Sequence, residues 1–501
     1  MTLDEAIYNQ LPALQVIVPL IAVPLVAMMR ARHLAWLACT LTSLLSFGIA
    51  VVITTELLAG ATWQYAMGAW PAPMGIELRI DSFSALLLLI VTGASTLMLL
   101  AARVPIAAQI QSIRQPLFYA VWLLTLGGLI GILVSGDAFN IFVFMEISSL
   151  ATYVLVAAGR DRRALAAVFT YIVMGTIGAT FYLVGVGLIY MMTGTLNLAD
   201  MGVRLEQVAD SRPVMAAAAF ITVGLALKAA LFPLHIWLPN AYTRAPHIVT
   251  AFLAACSTKV AIYVLLRFDF LIFQESIPNH ALHFAGLLLP LALAAMIVGS
   301  WVAMFEDNLK RLLAYSSIAQ VGYILLGAGL ISTTGLSAAV LHMFNHALIK
   351  GVLFLAVACL GVRLVQLRLS ELGGVARHMP WTMSAFAAAG LSLIGVPGTA
   401  GFVSKWQLIV AALEVGPWGL VPIIAIVTSS LMAVVYIWRI VETTWFAHAS
   451  TAVASVREAP SWMLVLVWLG VAANVYFGLQ PQLPLTLATG AAELLLESCC
   501  D

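Results

Sequence analysis

The 501-residue chain contains only five lysines. Four of them, Lys228, Lys259, Lys350 and Lys405, lie inside long apolar runs, where a charge is costly. A lone lysine near a helix end can snorkel its ammonium out to the headgroups. Lys350 stands about eleven residues, or roughly 16 Å of helix, from the nearer end of its run, which makes snorkelling hard. Lys228 is similarly central, Lys405 lies well before Gly416, and Lys259 is the shallowest of the four. Lysine suits proton handling, because surroundings can change the proton affinity of an ammonium by orders of magnitude while a guanidinium stays charged.

One acid is also placed inside an apolar run. Glu146 has no acidic or basic neighbour for eight positions on either side, so a lysine on a facing helix is its expected partner. His342, His346 and Lys350 are spaced by four and share a helical face with Asn345, giving titratable groups over about 12 Å of membrane depth. Two other uses of the histidine pair stay open: helix-to-helix hydrogen bonding, and metal binding, which the lack of a nearby acid or cysteine disfavours. Oxygen-bearing residues near Glu146, namely Asp137, Asn140, Ser148, Ser149 and Thr152, could contact a monovalent cation, or equally cap and pack helices.

The elements that hold these residues follow from composition. The chain is 63% apolar and 9% charged, with a mean hydropathy of +1.04, against about 25% charged residues in a soluble domain. It is therefore an all-α polytopic membrane protein, since long Leu/Ala-rich runs without strand alternation must satisfy their backbone internally in lipid. Near-neutral charge, with 23 basic and 22 acidic residues, argues against nucleic acid as a partner and leaves the lipid bilayer. Apolar runs predict fourteen helices, near 11–29, 34–54, 82–101, 117–135, 138–158, 165–192, 213–237, 245–266, 281–304, 311–331, 335–361, 381–411, 417–446 and 460–479.

Spans seven and twelve are predicted to be broken, by Pro233 after Lys228 and by the Gly395 to Gly401 cluster with Pro397 before Lys405. A matched pair of breaks five spans apart predicts inverted five-helix repeats, spans four to eight and nine to thirteen. The resulting segments are 1–116, 117–270, 271–450 and 451–501, the last being span fourteen with a short C-terminal tail.

Fifteen basic residues flank alternate loops: Arg30, Arg32, Arg103, Arg114, Arg160, Arg162, Arg163, Arg244, Lys310, Arg311, Arg363, Arg368, Arg377, Arg439 and Arg457. Only Arg79, Arg204, Arg212 and Arg267 lie on the other side, so both termini are expected outside, in the periplasm or its equivalent. The first apolar run lacks a basic leader or cleavage site and reads as a retained span. Cys39, Cys256, Cys359, Cys499 and Cys500 show no metal spacing.

Longer blocks carry a family resemblance. Lys228-Ala-Ala-Leu-Phe-Pro-Leu-His-Ile-Trp-Leu-Pro239, Ala245-Pro-His247, Lys259, Asn308-Leu-Lys-Arg-Leu-Leu-Ala-Tyr-Ser-Ser-Ile-Ala-Gln320 and His342-Met-Phe-Asn-His-Ala-Leu-Ile-Lys350 resemble the antiporter-like subunits of respiratory complex I and of Mrp cation/proton antiporters, over nearly the whole chain. Ser135 to Glu146 and Thr193 to Asp200 look most like the D-type subunit of Mrp antiporters, with subunits of membrane-bound hydrogenases close behind. The resemblance implies that Glu146 pairs with Lys228, that Lys259 is a central and Lys405 a distal proton relay, and that His342 and His346 link them. Lys350 also fits the pattern. It further implies A-like and C-like neighbours and small subunits as partners, and H⁺ with Na⁺ as transported ions. No flavin fingerprint, haem-attachment motif or Cys cluster is present, so no bound cofactor is expected and the chain is expected to be a transporter subunit rather than an enzyme. The alternative parent is a redox-driven proton pump of the complex I or hydrogenase type.

Overall fold

A computed structural model describes residues 8–159, 161–208, 211–274, 277, 280–449, 453 and 456–497. Arg160, Cys499 and Cys500 lie outside the described residues. Among the described residues, eleven helices are long and apolar enough to cross a membrane. With the shorter α1 (Leu11–Ala27) and two crossings that are each made of two helices, they give the expected fourteen passes.

The first part of the chain forms α2 (Arg32–Leu58), α3 (Ser82–Gln109), α4 (Gln115–Val134), α5 (Ala138–Ala157) and α6 (Arg163–Thr193). A short surface helix, α7 (Leu198–Leu205), precedes the broken crossing α8 (Arg212–Lys228) and α9 (Trp237–Arg244). Then follow α10 (His247–Phe268), α11 (His280–Phe305), α12 (Leu309–Gly329) and α13 (Thr333–Arg363). The second broken crossing is α14 (Pro380–Ile394) with α15 (Ala400–Glu414), and α16 (Leu420–Val441), α17 (Ser461–Leu479) and α18 (Gln482–Glu497) complete the chain.

Helix starts are fixed by polar caps that satisfy otherwise orphaned N–H groups. The Asp81 carboxylate accepts from the Ser84 amide at 3.0 Å, and the Asp81 amide donates to Ser84 Oγ at 2.8 Å. Asp137 accepts from Asn140 at 2.7 Å, and Asn308 accepts from Lys310 at 3.0 Å. Both predicted breaks are present, and each exposes carbonyls at the point where a helix stops. Ala230, at φ +54°, turns the chain out of α8, and the Trp237 indole donates to the freed Leu227 carbonyl at 3.0 Å. Gly395 and Gly398, at φ +94° and +86°, do the same between α14 and α15, a conformation that glycine adopts at no steric cost.

Helices α10, α12 and α13 are buried along almost their whole length, whereas α6, α11, α16 and α17 turn an apolar face outward. The four membrane lysines therefore sit on or against the three central helices and the two broken crossings.

Two features depart from the sequence expectation. Residues between α2 and α3 form an antiparallel hairpin, β1 (Trp63–Ala66) with β2 (Glu77–Ile80), in the register Trp63 to Ile80. The expected short tail is instead the helix α18, whose Leu487, Ala488, Ala491, Ala492 and Leu495 are buried. Thr489 of α18 meets Ser337 of α13 at 3.2 Å. Its apolar stripe has helical spacing, but it is too short to register as a membrane run.

Helices α6 and α8 approach through paired glycines. A Cβ on Gly224 would lie 2.6 Å from the Gly178 carbonyl oxygen and 2.8 Å from the Tyr182 amide nitrogen. Alanine gains about 1 kcal/mol over glycine in a helix interior, yet overpacking against backbone costs about 1–3 kcal/mol. Gly224→Ala is therefore expected to lower the thermal midpoint of the purified protein, measured by intrinsic fluorescence, and Gly224→Val to lower it further. A midpoint equal to or above wild type in both would show that α6 and α8 can separate freely.

Candidate functional site

Lys228 is the last residue of α8, placed at the break. Its Nζ donates to Glu146 Oε1 at 2.9 Å and to Ser149 Oγ at 2.7 Å, both on α5. The lysine side chain is 7% exposed and the glutamate 26%, so the pair is buried on the lysine side and open at the carboxylate. Beside it lies a small cavity of about 40 Å³ lined by Ser149, Tyr171, Lys228, Trp237 and Ser257. Its other walls are largely apolar, from Leu129, Ile132, Met145, Val260 and Val264, but it has space for a water against the polar groups, and it reaches α10, which carries Lys259 two residues beyond Ser257.

Lys259 is 1% exposed and donates to the carbonyl of Ala254 on its own helix. Its helix α10 packs against α13, which carries His346 and Lys350. His346 is fully buried, and neither of its ring nitrogens has a hydrogen-bond partner among the described residues. His342, one turn along, is held on both sides, by Ser404 at 2.8 Å and by Gln320 at 2.9 Å. The two imidazoles lie nearly parallel with centroids 6.2 Å apart. Asn345 donates to the Ala400 carbonyl at 2.7 Å, which ties α13 to the second break.

Lys350 donates to Ser316 Oγ and, at 2.8 Å, to the Leu313 carbonyl, both on α12. Lys405, on α15, donates to the carbonyls of Leu393 and Ile394 at 2.9 Å each and to Ser430 at 3.0 Å. These carbonyls are the orphans at the end of α14, where a cation is favoured by the helix dipole. Its Nζ also lies 4.8 Å from the Tyr323 ring centroid. A cavity of about 240 Å³, lined by Lys405, Ser430 and the exposed Trp406 and Leu431, opens from here to the side of the protein.

Lys310 corrects the loop-charge reading. It is 3% exposed, and its Nζ donates to the Ala245 carbonyl at 2.6 Å. The cap at Asn308 starts α12 at Leu309, two residues before the predicted run, and turns Lys310 inward, while Arg311 stays near the surface with Glu306 at 3.1 Å. Arg267, counted among the opposite-side charges, is also buried and ion-paired with Asp81. At the surface beyond α9, Asp161 meets Arg244 at 3.1 Å; slight burial opposes ionisation, but the Arg163 amide and Arg244 hold its carboxyl below the usual range.

The oxygen-bearing residues of α5 do not surround one point. Asp137 caps the helix, Asn140 donates its backbone amide to that cap, and Thr152 lies about 22 Å farther along the axis. Ser148 donates to the Met145 carbonyl, and Ser149 already accepts from Lys228. Among the described residues, no group of three His, Cys, Asp or Glu side chains could hold a metal ion. Sequence reasoning missed Ser316, Tyr323, Ser404 and Ser430 as contacts of the basic groups. Ser316 and Tyr323 lie two turns apart on α12, a polar stripe whose helical spacing is a readable signal.

Fold and site together define a polytopic membrane protein with a buried line of basic groups interrupting two broken crossings. Residues 135–433 match the family described as "NADH:quinone oxidoreductase/Mrp antiporter, TM". The chain belongs to this family. It is 42% identical to NADH-quinone oxidoreductase subunit N of Desulforudis audaxviator, over 85% of each chain. It is 31% identical to the D-type subunit of the Na(+)/H(+) antiporter of Alkalihalophilus pseudofirmus, over 73% of this chain and 72% of the relative. Among solved structures, a chain of the archaeal membrane-bound sulfane sulfur reductase superposes with a TM-score of 0.90 at 32% identity, covering 98% of both chains. A chain of the Mrp complex from Dietzia sp. DQ12-45-1b gives 0.88 at 27% identity, covering 99% of this chain and 98% of the other. The chain is a membrane antiporter-like subunit.

If Glu146 and Lys228 exchange protons as a pair, Glu146→Gln, which keeps shape and removes charge, is expected to lower proton flux by about a hundredfold. The measurement is dye-reported flux in vesicles carrying the assembled complex. Wild-type flux in both Glu146→Gln and Lys228→Ala would remove the pair from the path.

Proposed function

We propose that this chain is the proton-translocating subunit of a multisubunit monovalent cation (Na⁺)/proton antiporter in a bacterial inner membrane, with both termini outside. The observation that carries the reading is the Lys228 ammonium held between Glu146 and Ser149 where α8 stops. With the pair closed, the carboxylate favours the charged lysine. Opening it strands an ammonium in a poor dielectric, so the proton leaves toward Lys259, His346 and His342, and on to Lys405. Lys350 lies beside this line.

The two ends of the line support coupling to neighbours. Glu146 is partly exposed at one side, and the Lys405 cavity opens at another. Membrane subunits of A-like and C-like type, with small subunits, are the partners this arrangement fits; the Mrp complex is a multisubunit relative. A charge arriving at either end acts on an adjacent subunit across a short, lipid-free distance. The chain itself binds no cofactor in this scheme and carries protons, with Na⁺ crossing elsewhere in the assembly.

A second reading has its own support. The 42% identity to a subunit of NADH-quinone oxidoreductase and the 0.90 superposition on a respiratory membrane complex favour a redox-driven pump as the parent assembly. The same proton line serves both. Sodium-dependent proton flux in vesicles holding the whole assembly, without an electron donor, is the expected outcome for the antiporter. Flux that requires an electron donor and ignores sodium would assign the chain to the redox complex instead. Small Mrp-type membrane subunits encoded beside the gene point the same way as the first result, iron-sulfur subunits the same way as the second.

A further inference from the structure

An apolar cavity of about 450 Å³ lies apart from the basic groups. Its back wall is α3 packed on α13, and its sides are α2, which packs on α3, and α17, which packs on α13. Val51 and Leu58 of α2 and Leu469 of α17 line it and are exposed, so it is continuous with the apolar outer surface that faces lipid. Only two of the lining side chains, Thr54 and Thr55, carry a hydroxyl. Each donates within its own helix, to the Ala50 carbonyl at 2.7 Å and the Val52 carbonyl at 2.9 Å.

Size and polarity select the occupant. A buried water needs two to four polar partners, which these walls do not offer. A partner helix about 10 Å across would need roughly 1,200 Å³ over 15 Å of its length, more than twice the space present. A single hydrocarbon chain meets both conditions. Depth agrees: on α2 the lining runs from Phe47 to the last residue, Leu58, about 16 Å of helix. On α17 it reaches Leu469, ten residues or about 15 Å before the helix ends at Leu479. The hydrocarbon core of a bilayer is about 30 Å thick, so one leaflet contributes about 15 Å.

We propose that this cavity is a lipid site, filled by one acyl chain of a phospholipid from the leaflet on the hairpin side. The walls are kept open by small residues, among them Gly93, Ala94, Gly351 and Ala473. Gly351 is not demanded by a close helix contact, because a Cβ there would meet only Met98 Cε, at 3.6 Å. Alanine suits a helix interior better than glycine, so the missing side chain preserves space. Left empty, that space would forfeit the dispersion contacts of its lining. At about 100° per residue, α13 turns Phe344, Leu348 and Gly351 to the cavity and His342, His346 and Lys350 to the opposite side. The chain thus backs the helix that carries the central basic groups and closes this side to water. The site is the same whether the parent assembly is an antiporter or a redox-driven pump.

The test places the assembled complex in phosphatidylcholine vesicles doped with a phosphatidylcholine that carries a diazirine near the end of one acyl chain. After illumination, adducts are mapped by peptide mass spectrometry. They are expected on Met98 and Leu348 in the cavity as well as on the outward-facing Leu431 of α16. Combining Ala473→Phe with Gly351→Leu, which fills the space from two walls, is expected to abolish the cavity adducts and leave those on Leu431. Adducts confined to Leu431 in the wild type overturn the proposal, as do cavity adducts that persist in the double variant. Displacement of the cavity adducts by a long-chain isoprenoid alcohol but not by unlabelled phosphatidylcholine overturns the choice of occupant. Modification of Leu97→Cys by a membrane-impermeant maleimide shows a wet cavity and overturns it too. The wild-type map decides the question even where the double variant fails to assemble.

Discussion

The constraint on which the structure turns is that an ammonium inside a membrane must have a hydrogen-bond acceptor. All five lysines are solved this way, and among the described residues only Lys228 uses a carboxylate. Lys259, Lys310, Lys350 and Lys405 use backbone carbonyls, of Ala254, Ala245, Leu313, and Leu393 with Ile394 respectively. The choice matters physically. A carboxylate adds a full opposite charge and favours the protonated lysine strongly. A carbonyl supplies only a dipole, and it accepts a hydrogen bond from a neutral amine as well as from an ammonium. The contact then survives loss of the proton, and the site can load and unload without rebuilding its surroundings.

Helix geometry decides where such carbonyls are free. In an unbroken helix each is used by the amide four residues on, so the interior carbonyls of Ala254 and Leu313 take a lysine as a further donor, while unused acceptors occur at helix ends. Lys405 reaches the last carbonyls of α14 because Gly395 stops that helix within the membrane thickness. Lys310 reaches Ala245 because α9 ends at Arg244. The first break works differently: the Trp237 indole takes the freed Leu227 carbonyl, and Lys228 turns to α5 instead. The two halves of the chain therefore place a lysine at equivalent breaks but give it acceptors of different strength. Of the two, the carboxylate is the stronger partner for a charged ammonium.

How much of this is legible in the sequence depends on the length scale of each signal. The fourteen crossings are, because each needs about twenty apolar residues and leaves a long record. The two breaks are, because proline and clustered glycine act locally on the backbone. Lys310 reads wrongly because loop charge and first-turn charge look alike in sequence; the cap at Asn308 settles which way the side chain turns. The hairpin and α18 escape notice because four-residue strands and a single amphipathic stripe are short beside fourteen long runs. Glu146 signals a partner by its isolation, but which lysine it meets depends on helix packing that no single segment encodes.

The depth of the lysines constrains the direction in which charge can travel. Lys228 and Lys405 sit at breaks within crossings, and Lys259 and Lys350 lie near the middle of α10 and α13. Four basic groups at mid-depth thus spread across the protein rather than along one crossing. Under the proposed function, protons moving along them would change the charge at the sides, where the Glu146 carboxylate and the Lys405 cavity open. Passage to either face requires polar groups at other depths. His342, two turns above Lys350, and Lys310, in the first turn of α12, occupy such depths. In the proposed scheme the central lysines would serve both a sideways signal between subunits and the passage of a proton across the bilayer.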